Sequence, residues 1–128
     1  MPDPPKSDVR QFIQASPVLH VADVRRTAEH YRDVLGFTLD FVYGDPPTYA
    51  VVWRENAAVH FWRRDPPTRD AHVFLWVRDV DRLHDEYRAS GAAVVEPPAT
   101  RPYGVREMVV KDPNGVTLVF GQDDEAAG

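Results

Sequence analysis

Apolar positions along the chain change their period twice, and in the same order each time. At 17–21 and 72–77 they form short strand-like runs, each leading to an Asp suited to cap a helix. Helical spacing follows at Val24, Ala28, Tyr31 and Leu35, and again at Val80, Leu83 and Tyr87. Gly36 and Gly91 stand where a helix stop is expected. Three strand-like runs come next in each half, at 37–42, 49–53 and 57–62 and then at 92–95, 105–111 and 116–121. Gly44-Asp-Pro-Pro47, Arg54-Glu-Asn56, Pro97-Pro98 and Asp112-Pro-Asn-Gly115 supply the turns, and Asp65-Pro-Pro67 links the halves. The two halves also share residues: Val21, Asp23, Val24, Arg26, Tyr31 and Arg32 recur 56 positions later as Val77, Asp79, Val80, Arg82, Tyr87 and Arg88. Two copies predict a paired-module domain of the α+β class, βαβββ twice.

The expected organisation is a single domain over 14–122, with modules at about 14–64 and 70–122. Residues 1–13 are Pro- and charge-rich without a period and read as a disordered or arm-like segment, and 123–128 as a flexible tail. The chain's 128 residues match one ordinary domain, and 43% apolar content supports a real core. The absence of Cys removes disulfides, thiolate metal sites and Cys nucleophiles together. A net charge of −5 argues against nucleic acid, whose binding needs clustered Lys and Arg. No apolar run approaches the roughly 20 residues of a membrane span. The start, MPDPPKSDVR, lacks the basic-then-apolar order of a secretory leader, so a cytoplasmic location is expected.

Four segments carry a family likeness: Pro17-Val-Leu-His-Val-Ala-Asp-Val24, His30-Tyr-Arg-Asp-Val-Leu-Gly-Phe37, Tyr103-Gly-Val-Arg-Glu107 and Asp112-Pro-Asn-Gly-Val-Thr-Leu-Val-Phe-Gly121. In this order they resemble the vicinal oxygen chelate superfamily of glyoxalases, extradiol dioxygenases, fosfomycin-resistance enzymes and bleomycin-resistance proteins. Leu35-Gly-Phe-Thr-Leu-Asp-Phe-Val42, Leu75-Trp-Val-Arg78 and Pro102-Tyr-Gly-Val-Arg-Glu107 are most similar to the bleomycin-resistance branch. The resemblance implies paired modules forming a curved mixed sheet, helices behind and a cavity in front. It also implies a homodimer that completes the cavity, often with exchange of the N-terminal strand.

The resemblance further implies four metal-ligand positions, which fall on Ser16, His60, His72 and Val119. Two of the four can ligate: Ser16 replaces a usual His and Val119 a usual Glu. A catalytic site normally wants three protein ligands, and a third would have to come from His20 or Glu107. No cofactor is therefore expected; a divalent metal, if held, would sit on His60 and His72. Otherwise these two are neutral imidazoles hydrogen-bonded among aromatic rings. Glu107 reads either as a cavity carboxylate or as a strand-start residue paired with Arg106 or Arg101.

Strand alternation sorts the faces once one residue is fixed. If His72 faces the cavity, so do Phe74 and Trp76; if His60 does, so does Trp62. Tyr49 and Trp53, Ser16 and His20, and Glu107, Thr117 and Val119 join them, while Phe37, Phe41, Phe61 and Phe120 read as core. All three Trp fall on the front. Tyr103 belongs to a loop that the resemblance places over the ligand groove. The candidate ligand-binding set is thus His20, Tyr49, Trp53, His60, Trp62, His72, Phe74, Trp76, Tyr103 and Glu107, with no catalytic residue named.

An aromatic wall in an acidic protein suits a flat, cationic small molecule, since rings stack on rings and cations sit over Trp. Bleomycin-type antibiotics fit that description, and sequestration without turnover is the expected activity. The alternative is a metal-dependent lyase, isomerase or dioxygenase with a rearranged ligand set. A third reading is a dimeric regulatory or immunity partner that binds a peptide.

Overall fold

The computed structural model describes residues 11–124; the expected N-terminal segment up to residue 10 and the tail from 125 onward lie outside the described residues. The chain divides into two compact units, 1–67 and 68–128. In the first, β1 (Val18–Val21), α1 (Val24–Asp33), β2 (Thr38–Tyr43), β3 (Tyr49–Arg54) and β4 (Ala57–Arg63) form a four-stranded sheet in the order β1-β4-β3-β2. In the second, β5 (His72–Trp76), α2 (Val80–Ser90), β6 (Ala93–Thr100), β7 (Val105–Lys111) and β8 (Thr117–Asp123) repeat it as β5-β8-β7-β6. Each sheet is mixed, with the first strand parallel to the last and the other pairs antiparallel. The architecture is α+β, βαβββ twice.

Local chemistry starts both helices alike. Asp23 and Asp79 are N-caps whose carboxylates accept from Arg26 N at 3.0 Å and Arg82 N at 3.1 Å. Helix α2 stops at Gly91, which takes the left-handed conformation (φ 84°) and donates its N–H to Tyr87 O. The helical stripes are buried as their spacing predicts: Val24, Ala28 and Tyr31 on α1, with Leu35 just past its end, and Val80, Leu83 and Tyr87 on α2. Tyr31 meets Phe61 at 4.9 Å and Phe37 at 5.7 Å between ring centroids, and Tyr87 meets Phe120 at 5.5 Å. The repeated tyrosines are therefore equivalent core anchors, one per unit.

Three sequence expectations are corrected. Pro97-Pro98 was expected to end a strand, yet β6 runs through both. It is an edge strand, and its register with β7 shifts on either side of Glu96, so the missing N–H groups fall where no ladder bond is needed. Asp123 belongs to β8 instead of the flexible tail: it pairs with Val105, next to Gln122, whose Oε1 accepts from Val80 N at 2.9 Å. Phe41 is on the front face and 47% exposed, not in the core. A register shift between Leu39 and Phe41 moves it opposite Val51 and reverses the alternation beyond it. Among the described residues no helix is long and apolar enough to cross a membrane.

Candidate functional site

In the first unit, register pairing sets out the face of the sheet away from α1 in rows. Val18, His60, Val51 and Phe41 form the middle row, and His20, Trp62, Tyr49 and Tyr43 form the next. Trp53 lies in a third row with Ala58 and Thr38. His60 Nδ1 and the Tyr49 hydroxyl are 2.8 Å apart, with the rings edge to face. Burial lowers the His60 pKa, so neutral imidazole is favoured there. That is the hydrogen-bonded histidine of the sequence reading. His20 meets the edge of Trp62 at 5.6 Å, while the Arg64 guanidinium stacks over the Trp62 ring at 4.3 Å. Trp62 thus already carries a cation from its own chain. Arg64 also lines an open cleft of about 380 Å³ with Ala22, Arg63 and Asp65.

In the second unit the corresponding face is more open. One row contains His72, Thr117, Lys111 and Ala93; the next Phe74, Val119, Val109 and Glu96; the third Trp76, Gly121, Glu107 and Ala99. Phe74 is 44% exposed and Trp76 65%, and their rings meet edge-on at 4.8 Å. Gly121 makes that arrangement possible. A Cβ there would collide with Phe74 Cζ and crowd Val105 Cγ1, so only glycine lets the phenyl ring lie across the strand.

Glu107, 9% exposed, lies in the third row between Gly121 and Ala99. Its Oε1 accepts from the Tyr103 hydroxyl and, at 3.3 Å, from Arg101 Nε, whose guanidinium also reaches Glu96 at 3.4 Å. The bond to Glu107 raises the Tyr103 pKa. Arg106, the other sequence candidate for pairing Glu107, points to the opposite face and holds Asp81 of α2 with two bonds of 2.9 Å.

The ten sequence-chosen side chains thus separate into pairs: Tyr49 with His60, His20 with Trp62, Phe74 with Trp76, and Tyr103 with Glu107. Trp53 and His72 occupy the front rows without joining these pairs. Sequence reasoning named Arg101 as a partner of Glu107 but missed Phe41, Arg64, Lys111 and Gly121 on these faces. Alternation past Trp62 and past Glu107 would have found Arg64 and Lys111; the bulge that turns Phe41 has no sequence signal.

The four metal positions implied by the resemblance do not fit a resident catalytic ion. Val119 offers only hydrocarbon, Ser16 only a neutral hydroxyl, and His60 Nδ1 is engaged by Tyr49. Of the fallback ligands, His20 packs edge-on against Trp62, and Glu107 is bonded through Oε1 to Tyr103 and Arg101. Among the described residues no three His, Asp or Glu side chains group to hold a metal ion.

Solved structures of the same fold are numerous. TioX from Micromonospora sp. ML1 is 24% identical, with 86% of this chain and 98% of that chain covered and a TM-score of 0.76. A bleomycin resistance determinant encoded on the transposon Tn5 is 20% identical over 88% of this chain and 98% of that one, with a TM-score of 0.75. The bleomycin-binding protein from bleomycin-producing Streptomyces verticillus, solved with copper(II)-bleomycin, is 29% identical over 88% of this chain and 97% of that one, at a TM-score of 0.69. No curated protein sequence matches the chain significantly. A sequence profile for the Glyoxalase/Bleomycin resistance protein/Dioxygenase superfamily matches residues 13–120, most of the chain, and the chain belongs to that superfamily.

Proposed function

We propose that this protein binds a small, ring-bearing, cationic molecule of the bleomycin type on its aromatic faces and sequesters it without turnover. The observation that carries the reading is the exposed Phe74–Trp76 pair laid over Gly121 and ending at Glu107. A flat ring stacked on this pair gains about 0.5–1.5 kcal/mol beyond its buried area. A cation over the open Trp76 face gains a further 0.5–2 kcal/mol or so. Both described bonds to Glu107 fall on Oε1, which leaves Oε2 to an ammonium or guanidinium group. A net charge of −5 raises the local concentration of such ligands. The 29% identity to a protein solved with copper(II)-bleomycin supports the ligand class.

Binding without a resident metal or cofactor follows from the donor set, since Ser16 and Val119 stand where metal-dependent relatives would need ligands. The reading extends to a homodimer that completes the ligand cavity and shields Val18 and Phe41, apolar side chains exposed on the first sheet. Thermal melts with and without bleomycin test it. A ligand at a hundred times its dissociation constant stabilises the folded state by about 2.7 kcal/mol. An unchanged melting temperature at saturating bleomycin contradicts this function.

A further inference from the structure

The first row of the second unit's face carries chemistry that a cationic ring does not use. His72, Thr117 and Lys111 lie side by side on β5, β8 and β7. Lys111 Nζ donates to Thr117 Oγ1 at 2.5 Å and reaches Gly115 O at 3.5 Å, both neutral oxygens. Among the described residues Lys111 has no carboxylate partner. Thr117 is 6% exposed, its amide is committed to Ala71 O at 2.9 Å, and its hydroxyl accepts from Lys111. The hydroxyl proton then has no acceptor among the described residues. An ammonium and a hydroxyl proton thus face the same row beside the exposed His72 imidazole, and neither meets an anionic acceptor among the described residues.

We propose that the His72–Thr117–Lys111 row is a subsite for an oxyanion, a carboxylate or phosphate group at one end of the bound molecule. The inference rests on the reading of this face as a ligand surface and narrows its ligand class. Glu107 lies on the same face of β7, four residues from Lys111, which spans about 13 Å along a strand. Phe74, Val119 and Val109 fill the row between them, with Glu96, paired to Arg101, at its β6 edge. The face therefore orders its chemistry along the strands: a cation at one end, hydrocarbon and rings in the middle, a carboxylate at the other. Its complement is an elongated dipolar molecule with a flat body, a basic group toward Glu107 and an oxyanion toward Lys111. An oxyanion gives the Lys111 ammonium a partner ionised in its turn, in place of neutral oxygens.

Three probes test this: 2-naphthoate, 2-naphthyl phosphate and neutral 2-naphthamide, titrated calorimetrically while the Trp76 indole N–H is followed by NMR. At least one anion is expected to bind about tenfold more tightly than the amide, and the stronger one tells carboxylate from phosphate. Lys111→Met and, separately, the near-isosteric Thr117→Val are expected to bring that anion down to the amide's affinity without changing the amide's own. Equal affinities for all three probes, or an anion advantage that survives Lys111→Met, overturn the subsite. In that case an amide that still shifts Trp76 leaves the aromatic-face reading standing. Probes that bind nowhere near Trp76 overturn both.

Discussion

Trp62 and Trp76 occupy comparable front rows but have different surroundings. Trp62 is held by the His20 edge and covered by Arg64, whereas Trp76 touches Phe74 and otherwise faces outward. The two equal candidates of the sequence therefore differ in what they can offer a ligand, and Trp76 is the available one. Alternation was enough to put both on the front, because a strand's period of two survives any tertiary context that keeps the ladder regular. It failed at Phe41, where one bulge reversed the face. His60 makes a residue-scale prediction through its lowered pKa, which arises from burial. A folded-state value below the ordinary 6.5 gives stability that is present above pH 6.5 and lost as the pH falls through the lowered value. Melting temperatures between pH 7.5 and 5.5 should fall in the native protein, and His60→Gln should remove that part of the fall. A slope unchanged by the substitution contradicts the assignment.

At the scale of elements, the repeat was legible because the same positions solve the same packing problem twice. Asp23 and Asp79 cap, and Tyr31 and Tyr87 fill the space between helix and sheet. Replacing Tyr87 by Ala should cost about 3–5 kcal/mol, the usual loss for a fully buried aromatic side chain, read from the denaturation midpoint at constant m-value. A loss below about 1 kcal/mol contradicts its place in the core. The edge of the second sheet was not legible. Pro97-Pro98 is a strong turn signal by composition, and only the irregular pairing of β6 with β7 lets it lie within a strand. The candidate site was half legible for a related reason. Its rings follow from alternation, but Tyr103 and Arg101 reach Glu107 from the connection before β7, whose path no periodicity describes.

For the molecule as a whole, two sheets present aromatic faces that helices do not cover, in a chain of net charge −5. Exposure of that extent is expected to be relieved by a second copy, and sedimentation at micromolar concentration should return twice the chain mass. A monomer at every concentration tested removes the homodimer. The acidity that first argued against nucleic acid also fits a cationic ligand, with Lys111 and Thr117 set apart at one end of the second face. Bleomycin is proposed to stack on Phe74 and Trp76. Titration of bleomycin against the native protein, following Trp fluorescence, tests it most directly. Saturable quenching is expected, and Trp76→Ala should abolish it while leaving stability within about 0.5 kcal/mol of native, as expected of an exposed side chain. Quenching that is absent well above micromolar bleomycin, or that persists in Trp76→Ala, contradicts it.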